Sequence, residues 1–288
     1  MSLILLLKLF LVPALIYAVT LVGRKWGPGV AGWMSAFPIM SGPILLTVTL
    51  EQGAAFAARA AEGTLLAVVA VLVFSVVYAW VAERAGMALS MLAALLAWAA
   101  SVAGLQALHL PVAVCFALVV GALLLAPRLF PALRTDATDA TDATVPVREP
   151  GRKTTGAAQA SDLPWRMLAG ALLVLAVSYS AATIGPRLSG FFAMFPVMST
   201  VLVGFSHVRS GRAFAVALLR GMVYGYFAFA TFCLVLSLML REGSMAAAFG
   251  AAFVCALAVQ LAVKRHARPA RGQVAPVRPT AGKPASSS

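Results

Sequence analysis

Nine stretches of this chain are apolar for long enough to cross the roughly 30 Å hydrocarbon core of a bilayer. They cover residues 3–23, 29–50, 63–82, 87–106, 110–127, 167–184, 188–207, 221–240 and 245–263. Charged residues make up only 11% of the sequence, less than half the roughly 25% of a soluble domain, so the main solvent of the fold is hydrocarbon. A backbone in lipid has to satisfy its own hydrogen bonds, which admits helices or closed barrels. The runs lack the strict alternation of barrel strands, and an all-α integral membrane protein of about nine transmembrane helices follows. The first run has no basic stretch before it and carries Lys8 within it, so it reads as a retained span rather than a cleaved signal.

Two segments have another composition. Residues 135–144 read TDATDATDAT and are followed by Arg148, Arg152 and Lys153; such a tract buries no core and is read as a flexible cytoplasmic linker over 131–164. Residues 264–288 are basic and rich in proline and are expected to form a disordered tail. The net charge of +13 sits between apolar runs and in this tail. Membrane topology accounts for it better than nucleic acid does. With the N-terminus outside, 17 of the 22 Lys and Arg fall on the inner side, which places the N-terminus in the periplasm and the C-terminus in the cytoplasm. Cys115, Cys233 and Cys255 lie in apolar runs without metal-ligand spacing and are read as core residues.

The most informative feature is internal. GPGVAGWMSAFPIMS at 27–41 and GPRLSGFFAMFPVMS at 185–199 align without gaps, an offset of 158 from Gly27 to Gly185. In the same register Gly53, Ala55, Phe56, Ala57 and Gly63 fall on Gly211, Ala213, Phe214, Ala215 and Gly221, and Lys8 falls on Arg166. The chain therefore reads as a first membrane repeat over 1–106, a linking transmembrane helix over 107–130, the linker, and a second repeat over 165–263. Five crossings separate the starts of the two units, and an odd number inverts the second. Inverted repeats are a recurring plan of secondary transporters, with the substrate near the membrane midplane.

A basic residue in the first span (Lys8), then Ala31-Gly32 and Phe37-Pro38 in the second, then a turn with Glu51 and Gly53, resembles the GlpM family of small four-span bacterial inner-membrane proteins. The second unit keeps Arg166, Gly190, Phe195-Pro196 and Gly211 but has Ser189 for Ala31 and Arg209 for Glu51. The resemblance covers about 100 residues of each unit. It implies a bacterial inner-membrane location and a tandem of two such units, and it implies no substrate.

Pro38 and Pro196 fall near the middle of their spans. A proline there removes a donor and clashes with the carbonyl four residues earlier, here that of Met34 or Phe192, so a kink with a free carbonyl is expected. Pro43 would free Ile39 likewise. Phe37, Pro38, Ser41, Phe195, Pro196 and Ser199 are thus the expected substrate-binding residues, against the plainer reading of two kinked helices that pack well. Gly32 and Gly190 are read as positions of close helix approach. The charged candidates are Lys8, Glu62, Arg166 and Arg220. Intramembrane charge is functional by default, but all four sit near span ends and can snorkel to the interface. Lys8 shares the outer side with Glu62, a pairing the topology permits, and Arg166 shares the inner side with Arg220. Glu83-Arg84 and Arg241-Glu242 read as solvated loop ends.

His109, His207 and His266 share no ligand spacing, and the sequence holds no phosphate-binding loop, dinucleotide fingerprint, nucleophile elbow or HExxH. No catalytic residue, metal or cofactor is expected, and the chain is read as a non-enzyme. The expected partners are the lipid bilayer and a small solute or ion, not nucleic acid, and a homo-oligomer stays open. Two functions compete: a small secondary transporter or permease, and a non-transporting scaffold or accessory factor of an envelope pathway. The scaffold reading requires deletion of 268–288 to abolish activity while insertion stays normal. The topology itself makes a prediction: single cysteines at positions 26 and 187 react with a membrane-impermeant thiol reagent from opposite faces, and labelling from one common face refutes the inversion.

Overall fold

Alanine, leucine and valine dominate the apolar runs, and in lipid each such residue is most cheaply placed in a helix that closes its own backbone bonds. The computed structural model describes residues 3–38, 41–108, 110–131, 163–182 and 195–266. Among these residues every regular element is helical: α1 (Leu3–Trp26), α2 (Pro28–Ser35), α3 (Ser41–Gln52), α4 (Ala54–Val81), α5 (Met87–Leu105), α6 (Val112–Leu129), α7 (Leu163–Ala182), α8 (Val197–Met239) and α9 (Met245–His266). Five of them, over Ala54–Val81, Met87–Leu105, Val112–Leu129, Ser199–Met239 and Met245–Arg265, are long and apolar enough to cross a membrane. Their outward faces carry bare leucine and valine: Leu89, Leu92 and Leu96 on α5, Leu124 and Leu125 on α6, Val254, Leu257 and Leu261 on α9. A surface of that kind is stable only against hydrocarbon. The chain is an α-helical multi-pass membrane protein.

The helices differ from the sequence-based spans in three places. The expected span 29–50 is not one helix but two, the 8-residue α2 and the 12-residue α3. Residues 54–62, expected as a loop, are the first turns of α4, because an alanine-rich stretch has nothing to stop it. Residues 208–220 are helical for the same reason, interrupted only at Gly211, which divides α8 into arms of 197–210 and 212–239. The linker and tail fall largely on 132–162 and 267–288, outside the described residues. At their margins Leu163 and Pro164 open α7, and Lys264, Arg265 and His266 close α9, where basic side chains suit the negative end of the helix dipole.

Gly53 and Gly211 break the helices in the same way, with φ 85° and ψ 165° at the first and φ 81° and ψ 170° at the second. That region is open essentially to glycine alone. Two element boundaries follow the same register: α4 ends at Val81 and α8 at Met239, and α5 starts at Met87 and α9 at Met245.

α4 and the 212–239 arm of α8 are the two most enclosed helices, and they run antiparallel. Glu62 near the start of α4 meets Ser237 and Arg241 at the end of α8, whereas Glu83 beyond the end of α4 meets Arg212. α2 lies along the 212–239 arm in parallel, with backbone pressed on backbone. A methyl group on Gly221 would strike the Gly29 carbonyl, one on Gly225 the Trp33 carbonyl and Ala36, and one on Gly32 the Leu218 carbonyl. Gly221 and Gly225 are spaced as in the small-xxx-small seams by which membrane helices approach closely.

Charge separates between the two ends of the bundle. The end holding the α4–α5 turn carries Arg24, Lys25, Arg84, Arg128, Arg209 and Arg212, together with exposed Trp26, Trp80 and Trp165. Trp80 Nε1 donates to the Leu129 carbonyl at 2.7 Å, which fixes the C-terminus of α6 at that end. The end holding the α8–α9 turn carries Arg59, Glu62, Arg241 and Glu242. Tryptophan girdles and basic clusters mark the polar boundary of a membrane.

Two substitutions test this architecture. Gly221→Leu should abolish the folded protein, read as loss of a monodisperse species on size exclusion in detergent. Gly211→Ala should fold but lose about 1–3 kcal/mol, the cost of a side chain in that backbone region, read by thermal unfolding.

Candidate functional site

A helix can end or begin inside a membrane only where its open carbonyls and amides find other partners, and the described residues around both prolines show such partners. After α2 the Ala36 amide donates to the Gly32 carbonyl at 3.3 Å and the Phe37 amide to that of Met34 at 3.2 Å. Ser35 Oγ adds a bond to the Gly32 carbonyl at 2.8 Å. Pro38 then starts the next helix: its carbonyl accepts from the Gly42 amide at 2.9 Å. In the second unit the Pro196 carbonyl accepts from the Thr200 amide at 2.7 Å, and that of Phe195 from the Val197 amide at 2.6 Å. Pro196 is the N-cap of α8.

The expectation of a kinked but continuous helix is therefore corrected. Each proline stands at the start of a new helix, where its missing N–H costs nothing, and the Met34 carbonyl, expected free, is bonded to Phe37. Phe192 and Ile39 lie outside the described residues.

The two breaks converge. Ala36 sits on Gly225, and Ser199, fully buried, donates to Met222 Sδ at 3.2 Å. Both thus close on the turn 222–225, midway along the 212–239 arm. Pro38 and Pro196 are buried and Phe37 is half-buried. Phe195 stands edge-on to Trp98, ring centroids 4.9 Å apart at 80°. Ser41 opens α3, and its side chain is outside the described set.

One consequence of the first break was not anticipated. Because the Phe37 amide turns to Met34, the Trp33 carbonyl loses its helical donor, and Gln260 Nε2 of α9 supplies one at 3.0 Å. Gln260 is only 4% exposed. Its Oε1 and the Trp33 indole Nε1 are buried without partners among the described residues, and the Lys264 ammonium lies 5.4 Å from the Trp33 ring. One acceptor and one donor are thus open on the two residues that join α2 to α9. A lone glutamine in the apolar run 245–263 was the sequence signal for it.

The charged candidates are distributed otherwise than expected. The side chain of Lys8, in α1, lies outside the described set. Glu62 takes Arg241 as its ion-pair partner and accepts a further bond from Ser237 Oγ at 3.2 Å, so Arg241 is not a mere solvated loop end. Arg166 is buried, with its guanidinium 5.3 Å from the Phe205 ring centroid. Arg220 lies 5.5 Å from that of Phe130, and its Nη2 donates to the Pro131 carbonyl. Each arginine thus rests on its own aromatic ring, as weakly hydrated guanidinium groups do. Sequence reasoning also missed a pair across α4 and α8, in which the hydroxyl of buried Tyr78 and Nδ1 of half-buried His207 are 2.7 Å apart with rings edge-on.

Comparisons with family models, with characterised proteins and with solved structures gave no match. Function is therefore argued from this geometry. Gln260→Leu should leave the Trp33 carbonyl open and lower stability by about 1 kcal/mol, the scale of a side-chain bond between membrane helices; thermal unfolding in detergent measures it.

Proposed function

We propose that this protein is a small secondary transporter or permease of the bacterial inner membrane, built from two inverted repeats of the GlpM-like unit over 1–106 and 165–263, with the 107–130 helix between them. The reading takes nine membrane crossings, a periplasmic N-terminus and a cytoplasmic C-terminus. The basic, tryptophan-bearing α4–α5 end would then face the cytoplasm.

One observation carries it: the residues flanking the two Phe-Pro segments, Ala36 before the first and Ser199 after the second, meet the same stretch of the 212–239 arm, at Gly225 and Met222, midway along its length. Discontinuous helices at the interface of inverted repeats are where secondary transporters bind solute and coupling ion. The antiparallel packing of α4 on the 212–239 arm, its equivalent at offset 158, agrees with such repeats. The solute contacts in this reading are Phe37, Pro38 and Ser41 from one unit and Phe195, Pro196 and Ser199 from the other. The unpartnered polar atoms of Gln260 and Trp33 add hydrogen-bonding capacity beside the first break. Glu62, Arg166 and Arg220 act in positioning the helix ends.

Reconstituted vesicles provide the test. Light scattering after an osmotic step with a panel of small polar solutes, and an interior pH dye for protons, should reveal flux above that of empty vesicles. Pro38→Ala restores an N–H that can bond to the Met34 carbonyl, and either this change or Pro196→Ala should lower that flux at least about tenfold, as misplacement at a binding site does. Unchanged flux in both variants removes the proposed centre.

A further inference from the structure

Among the equivalent positions of the two units, four carry charges of opposite sign, Glu51 with Arg209 and Arg84 with Glu242 among them. Glu62 corresponds to Arg220 at the offset of 158, and Glu83 corresponds to Arg241. In the structure the first member of one couple joins the second member of the other: Glu62 pairs with Arg241 at the α8–α9 end. A single charge exchanged between repeats would leave one end of the bundle with a repulsive pair. Exchange at both positions keeps an acid opposite a base at each end, so the sequence preserves a second pair, Glu83 with Arg220, at the opposite end.

That second pair is not made here, and the structure gives the reason. Arg220 is drawn to α6, the helix without a counterpart in the other half, where it lies over Phe130 and donates to the Pro131 carbonyl. Its Nε is buried with no partner among the described residues, an incomplete satisfaction for a group built to engage a carboxylate through two parallel bonds. Glu83 meets α8 through its backbone carbonyl, which accepts from Arg212 at 3.4 Å. Geometry that seats residue 62 beside residue 241 in antiparallel, equivalent helices seats residue 220 beside residue 83 once α6 releases the arginine.

We propose that Glu62–Arg241 and Glu83–Arg220 are two ionic latches at opposite ends of the bundle, closed one at a time. The structure is the state with the α8–α9 latch shut. In the other state Arg220 leaves Phe130 and Pro131 for Glu83, and Arg241 leaves Glu62. This rests on the inverted-repeat transporter reading and supplies its gating: two near-equivalent halves exchange conformations, and a charge pair at each end biases which is populated.

The test is cross-linking in vesicles, on the full chain with Cys115, Cys233 and Cys255 replaced by alanine. A short bis-methanethiosulfonate linker, long enough to span two charged side chains, is applied to Glu62→Cys with Arg241→Cys and, separately, to Glu83→Cys with Arg220→Cys. The first pair should cross-link readily. The second should cross-link more slowly, and adding Glu62→Gln should raise its yield about two- to fivefold, the shift that loss of a half-exposed ion pair gives a two-state equilibrium. In a protein bearing all four cysteines, linkage at one end should exclude linkage at the other.

Failure of the first pair to link overturns the proposal, as does failure of the second while the first succeeds, or both links in one molecule. Exclusive linkage without solute flux would instead sink the transport reading and leave the latches standing. Flux without a second linkage would do the reverse.

Discussion

A backbone amide or carbonyl without a partner inside hydrocarbon costs several kcal/mol, and the construction of this protein follows from where that cost is met. Most of the chain meets it inside long helices. α2 stops before the first Phe-Pro segment and α8 starts after the second, and the neighbouring peptide groups are taken over locally: Met34 by Phe37, Pro38 by Gly42, Pro196 by Thr200. Where local closure fails, at the Trp33 carbonyl, a glutamine from a distant helix fills the gap. Irregular backbone at membrane depth is tolerated only against protein or water, so the two breaks have to lie in the interior of the bundle, and both rest on the 222–225 turn.

That placement depends in turn on close approach. Gly221 and Gly225 let α2 lie on the long arm of α8 at backbone distance, with Gly32 reciprocating from the other side. Between apolar helices in lipid there is no hydrophobic drive to association, and dispersion between closely fitted backbones takes its place. Polar side chains add the register. Glu62 with Arg241 and Ser237, and Tyr78 with His207, fix α4 against α8 at their two ends.

Arg220 shows how a neighbouring helix gives a charged residue partners that the residue aligned with it does not have. Its equivalent, Glu62, finds an oppositely charged partner beside the next turn, whereas Arg220 finds a ring and a carbonyl at the end of α6. A guanidinium accepts either environment, because it stacks on aromatic faces and donates to neutral oxygen as well as to carboxylate.

The membrane class, the helical content and the offset of 158 residues were legible in the sequence, because hydropathy and spacing are local properties of the chain. So was the importance of Pro38 and Pro196, since a missing N–H has the same consequence wherever it occurs. Their placement was not legible. Whether a proline kinks a helix or starts a new one depends on whether the preceding carbonyls find other donors, and those come partly from α9. The reach of α4 and α8 beyond their apolar cores was likewise hidden, as Arg59, Glu62, Arg209 and Arg212 interrupt the hydropathy there while the alanines among them still favour helix. The partners of the charged residues lay furthest from sequence reach. Glu62 and Arg241 stand 179 positions apart, and only the antiparallel packing of α4 on α8 decides that they meet. The sequence by itself determined what each segment is; the tertiary structure decided which segments touch, because side-chain charge and backbone vacancy are satisfied through space and not along the chain.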